Sequence, residues 1–88
     1  MYNSDMTDLE LICAVRQNDR SAFDYIYIKN WKMLYNAVYE CTLSITMTES
    51  IVQQVFVELW ISREPVSETD LSVYLLKIAE QIILSEEI

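Results

Sequence analysis

The amino-acid sequence predicts an all-α fold, a small bundle of four main helices. The 88 residues contain no glycine and only one proline, and apolar residues recur at helical intervals along four segments. Glycine is the residue that tight hairpins and phosphate-binding loops use for positive φ or close backbone approach, so its absence disfavours both. With 52% apolar residues the chain can bury one core, and we expect residues 1–88 to form a single domain.

The first predicted helix begins at a capping box. Thr7 is followed three residues later by Glu10, so that each side chain can accept a hydrogen bond from the other residue's backbone amide. We expect this helix to end near Gln17. Asn18 and Asp19 follow, and both side chains compete with a helix for backbone hydrogen bonds.

The second predicted helix is the longest and runs from Arg20 to about Cys41, with Asp19 or Ser21 as its cap. Apolar residues spaced by three or four predict its buried stripe: Phe23, Tyr27, Trp31, Leu34 and Val38. Polar residues mark its solvated face: Asp24, Lys32, Asn36 and Glu40.

The third predicted helix follows a short break over Leu43 to Met47 and runs to about Ile61. Thr46 and Glu49 have capping-box spacing at its start. Five residues fall together on a helical wheel and are expected to face the core: Ile51, Val52, Val55, Phe56 and Leu59.

A second, mixed stripe lies beside that core face and consists of Glu49, Gln53, Val57 and Trp60. Two interpretations are open. The stripe is a surface that binds a partner, or Trp60 covers the edge of the core and Val57 is an isolated exposed apolar residue.

The fourth predicted helix follows a polar loop over Ser62 to Asp70 that contains Pro65. Thr69 or Asp70 can cap this helix, which is expected to end near Ser85. Its predicted buried stripe consists of Leu71, Tyr74, Leu75, Ile78 and Ile82.

The charge and the cysteines limit the possible partners. The net charge of −8 opposes binding to nucleic acid or anionic lipid. Cys13 and Cys41 lie 28 residues apart, without a nearby partner cysteine, and we expect two buried thiols.

The N-terminus lacks the apolar segment of a signal peptide, and no apolar run is long enough to span a membrane, so we expect a cytoplasmic location.

Catalysis is disfavoured, and we expect neither a cofactor nor a metal ion. The chain has no histidine, which is the commonest general base and metal ligand. A serine nucleophile would have only a lysine as its base, from Lys29, Lys32 or Lys77.

Four segments in order resemble the first domain, region 2, of the extracytoplasmic-function RNA polymerase sigma factors, most nearly those of Bacteroidetes. The resemblance covers Asp8 to about Ser85. The four matching segments are Ser21 to Tyr27; Trp31 with Leu34 and Tyr35; Glu49 to Trp60; and Tyr74 to Ala79. The most specific of them is Glu49 to Trp60.

The resemblance implies two binding activities. The third helix would dock on the clamp helices of the polymerase's largest subunit through Glu49, Ser50, Gln53, Gln54, Val57 and Trp60. The following loop and the fourth helix would recognise or melt the minus-ten promoter element as a single strand, through Arg63, Tyr74, Lys77 and Gln81. An anti-sigma factor is a further partner that the resemblance implies.

The sequence departs from the family pattern in three ways. From Glu64 onward it has six acids and one base, Lys77, a balance that opposes DNA binding. Ser50 stands where the family usually has aspartate. The family's helix-turn-helix domain is absent, and the chain is either a fragment or a natural stub.

Two functional hypotheses follow. The first is a sigma factor domain that docks on core polymerase and recognises the minus-ten element. The second is a degenerate, acidic sigma-like module that binds polymerase or an anti-sigma factor without binding DNA. An enzyme is a distant third.

Overall fold

A computed structural model describes residues 6–62 and 70–86, and these residues form an all-α bundle. The helices are α1 (Asp8–Arg16), α2 (Arg20–Thr42), α3 (Ile45–Ile61) and α4 (Leu71–Glu86). The described ranges contain no strand. The all-α prediction with four helices is therefore confirmed, while most of the predicted Ser62 to Asp70 loop lies outside the described residues.

The predicted capping box of α1 is confirmed. The Glu10 amide donates to Thr7 Oγ1 at 3.1 Å, and the Thr7 amide donates to Glu10 Oε1 at 3.0 Å. The hydrogen bonds from the Thr7 backbone and side chain lower the pKa of the Glu10 carboxyl. The helix ends at Arg16, one residue before the predicted end, and Asn18 then turns the chain with a left-handed φ of 66°.

The buried row of α2 differs from the predicted stripe. It consists of Ala22, Ile26, Asn30, Leu34 and Val38. The prediction was right for Leu34 and Val38 and wrong for Tyr27 and Trp31, which are each 42% exposed. In the first half of the helix the buried row lies one residue earlier, a rotation of about 100°, and places the small Ala22 against the core.

Two polar side chains make hydrogen bonds with the backbone of α2. Asp19 caps the helix, because its Oδ1 accepts from the Ala22 amide at 3.2 Å. Asn30 is tolerated in the buried row since its Nδ2 donates to the Ile26 carbonyl at 2.9 Å.

The start of α3 also differs from the prediction. Ser44 is the N-cap, and its Oγ accepts from the Met47 amide at 3.3 Å. The predicted box from Thr46 to Glu49 is wrong because both residues lie inside the helix. Thr48 is buried, and its hydroxyl donates to the Ser44 carbonyl at 2.7 Å and lies 2.8 Å from Thr42 Oγ1.

The core lies where α3 packs against the other three helices. All five residues predicted to face inward from α3 are buried. From α4, Leu71, Leu75 and Ala79 are buried, whereas Tyr74, Ile78 and Ile82 are half-buried against them.

The beginning of α4 is held by two carboxylates. Asp70 Oδ1 accepts from the Val73 amide at 3.3 Å, as expected for a capping residue. Asp8 Oδ2, from α1, accepts from the Leu71 amide at 2.9 Å. The second bond links the start of α4 to the first helix.

The expectation of two buried thiols is wrong. Cys13 and Cys41 are both free and exposed. Cys13 lies outside the buried row of α1, and Cys41 lies outside the buried row of α2. Apolar neighbours in the sequence were therefore not enough to predict burial of these thiols.

Candidate interaction surface

A groove between α2 and α3, which we call the α2/α3 groove, is open to solvent and has a volume of about 370 Å³. It contains three of the four residues of the mixed stripe on α3. Its lining consists of Arg20, Phe23, Tyr27, Gln53, Phe56, Val57 and Trp60.

Aromatic rings form the floor and one wall of this groove. The Phe23 ring meets Trp60 edge to face, with centroids 5.3 Å apart and planes at 82°. The Phe23 and Phe56 centroids are 6.3 Å apart at 81°, and those of Tyr27 and Phe56 are 4.7 Å apart at 55°. Each ring is thus held by at least one other, which favours a preformed surface over one that must be ordered on binding.

The α3 side of the groove follows from helical spacing. Phe56 is buried, and the next residue, Val57, lies about 100° further round the helix and is 54% exposed. Gln53, one turn before Val57, is also exposed. This flank of α3 is therefore open to solvent beside the face that packs inward.

Trp60 combines the two interpretations drawn from the sequence. The side chain is half-buried and packs against the core edge through Phe23, yet it also lines the groove. A large aromatic residue can bury one edge and present another to a partner.

The remaining residues predicted to contact polymerase lie outside the groove lining. Glu49, Ser50 and Gln54 are exposed on α3 and extend the solvent-facing side of that helix. Together with Gln53 they give a polar border around a small apolar centre that includes Val57.

Sequence reasoning missed the contribution of α2 to this surface. Arg20, at the start of α2, lines the groove, and its Nε donates to Asp24 Oδ1 at 3.3 Å. The helical spacing predicted Phe23 and Tyr27 as buried residues. The row of aromatic residues on α2 is the signal that could have indicated a groove, but its spacing is the same as that of a buried row.

The residues predicted to contact DNA are only partly brought together. Lys77 and Gln81 are exposed and lie one turn apart on α4. Tyr74 is half-buried, and its hydroxyl accepts from Arg16 Nη2 at 3.1 Å, which gives the ring a structural role. Arg63 lies outside the described residues.

Within residues 6–62 and 70–86, no three His, Cys, Asp or Glu side chains are placed to hold a metal ion. None of the four helices is both long enough and apolar enough to span a bilayer.

Comparisons with known proteins do not assign the chain. No family model, no curated protein and no solved structure matches it. The exposed surfaces of the bundle and the sequence resemblance remain as the pointers to function.

Proposed function

We propose that this chain is the polymerase-docking domain of a sigma-type transcription initiation factor and acts in the cytoplasm without a cofactor. The observation that carries the proposal is the open flank of α3, where Gln53 and Val57 border the α2/α3 groove. Residues that the sigma resemblance assigns to the clamp contact thus coincide with an exposed groove.

The chemistry of the groove suits a protein partner. Stable interfaces have an apolar centre with aromatic anchors and a polar rim. Here Val57, Trp60 and Tyr27 supply the centre, and Gln53 can hydrogen-bond across the interface. We assign Glu49, Ser50 and Gln54 to the rim because they are exposed just outside the groove.

The second part of the proposal is recognition of a minus-ten single strand by α4. Lys77 and Gln81 are exposed on one face and can contact phosphates and bases. Their neighbour Glu80 is also exposed, and a carboxylate there weakens the attraction for a strand. We therefore propose that strand binding requires the polymerase to hold the DNA in place.

The alternative is a sigma-like module that binds polymerase or an anti-sigma factor and does not bind DNA. The observation that favours it is the charge of residues 70–86, where Asp70, Glu80 and Glu86 outnumber Lys77, so the net charge is 1 − 3 = −2. Both versions use the same flank of α3.

Binding to purified core RNA polymerase tests the proposal and separates its two versions. We expect a fluorescently labelled chain to bind the core enzyme and an unlabelled sigma factor to displace it. A labelled single strand carrying a minus-ten element is then added at low salt. Binding of the strand supports the first version, and its absence supports the second. Failure to bind core polymerase would contradict the first version and the polymerase-binding form of the second, leaving only a module that binds an anti-sigma factor.

A further inference from the structure

A second groove lies between α2 and α4, at the other end of α2. This α2/α4 groove has a volume of about 240 Å³. Its floor includes Val38 and Ala79, which are each 2% exposed, and its walls include Cys41, Leu76 and Leu84. Leu84 is 59% exposed, so this apolar wall is not used by the bundle itself.

Acids outnumber bases around the α2/α4 groove. The one cation of α4 is Lys77, which is exposed three residues before Glu80; between Lys32 and Arg63, and after Lys77, the sequence has no lysine or arginine. Glu80 lines the groove, and the exposed Glu40 precedes Cys41 on α2. An apolar cleft beside carboxylates attracts a ligand that combines apolar groups with cations.

This charge selects among the possible occupants. In a symmetric pair joined through this groove, the patch that carries Glu40 and Glu80 would face its own copy, and each chain carries a net charge of −8. Nucleic acid and anionic lipid are repelled for the same reason. A helix with an apolar stripe and flanking lysines or arginines meets both features of the groove.

We propose that the α2/α4 groove binds a basic amphipathic helix of a partner protein. Apolar side chains of that helix enter between Val38, Ala79 and Leu84, and its cations approach Glu40 and Glu80. The lining of this groove begins at Ala37 on α2, whereas the α2 lining of the α2/α3 groove ends at Tyr27. The two grooves share no lining residue, and the proposal does not depend on polymerase docking.

The two exposed cysteines provide the test. Cys41 lines the groove, whereas Cys13 lies on α1 outside it, so Cys13 is an internal control. The probe is a synthetic helical peptide of leucine and lysine with its leucines on one face. We expect it to slow alkylation of Cys41 by iodoacetamide about tenfold at a concentration ten times Kd, and to leave Cys13 unchanged. Mass spectrometry follows both rates.

Matched peptides and variants make the test specific. A peptide of the same composition without helical spacing, and one with glutamate in place of lysine, should not protect Cys41. Leu84→Ser should weaken binding of the first peptide about tenfold, whereas Ile28→Ser, at a residue 73% exposed elsewhere on α2, should leave it unchanged.

Three results would overturn the proposal. Equal slowing at both cysteines, or equal protection by the peptide without helical spacing, would mean that any cationic peptide gathers on an acidic chain. An equal effect of the two serine variants would remove the groove from the site. Protection of Cys41 without peptide, together with dimers in sedimentation, would make a second copy the occupant.

Discussion

The two grooves on α2 differ in composition, and the difference follows the sequence of that helix. Its first half, Arg20 to Lys32, carries three cations and one acid together with the exposed rings of Tyr27 and Trp31. Its second half has Glu40 as its only charge. One long helix thus presents an aromatic groove beside α3 and an aliphatic groove, lined by Glu80, beside α4.

The grooves also differ in how they join the core. The α2/α3 groove has Phe56 on its floor, and that ring contacts both Phe23 and Tyr27. The α2/α4 groove has the small Ala79 on its floor and the exposed Leu84 on its wall. A substitution of Phe56, on the floor of the α2/α3 groove, should therefore affect folding. A substitution of Leu84, on the wall of the α2/α4 groove, should affect only binding.

The largest expected effect is on stability. Phe56→Ala should lower the free energy of unfolding by about 3–5 kcal/mol, because it removes a buried ring and leaves a cavity. Leu84→Ala at the other groove should change it by less than about 0.5 kcal/mol. Urea unfolding followed by circular dichroism measures both. Similar losses for the two variants would contradict the distinction between the grooves.

A smaller effect concerns acid unfolding. The pKa of Glu10 is lower in the folded chain than its ordinary value, so the ionised carboxylate stabilises the fold above the ordinary value. That contribution is lost as the pH falls through the lowered value. When the pH is lowered through this interval, the melting temperature of Glu10→Gln should therefore fall less than that of the unchanged chain.

The same variant checks that the grooves are independent of the α1 cap. Glu10 lines neither groove, so peptide binding at the α2/α4 groove should be the same in Glu10→Gln and in the unchanged chain. An altered peptide affinity would show that the α1 cap influences the α2/α4 groove, although Glu10 does not line it.

Sequence reasoning predicted the elements whose signals are local. The Thr7 capping box depends on two residues three apart, and the α3 core face depends on one strong apolar row. The predicted start of α3 was wrong because Ser44 and Thr46 are both good capping residues and lie only two residues apart. The choice depends on Thr48, whose hydroxyl lies buried beside Thr42, a contact that no local pattern contains.

The buried row of α2 shows the main limit for the candidate site. Two rows fit helical spacing, one through Tyr27 and Trp31 and the other through Ile26 and Asn30. The aromatic row is more apolar, but the second row is the buried one, and in it Asn30 satisfies its amide on the Ile26 carbonyl. The exposed flank of α3 could be predicted, and the aromatic wall from α2 that completes the groove could not.

We propose that the open flank of α3 is a docking surface and lies outside the core. The affinity of Val57→Lys for core RNA polymerase tests this, with Ile28→Lys as the control at an exposed apolar residue outside both grooves. We expect Val57→Lys to abolish binding and to change the free energy of unfolding by less than about 0.5 kcal/mol, whereas Ile28→Lys should bind normally. Unchanged binding by Val57→Lys would mean that the flank does not dock on polymerase, and its failure to fold would mean that Val57 belongs to the core.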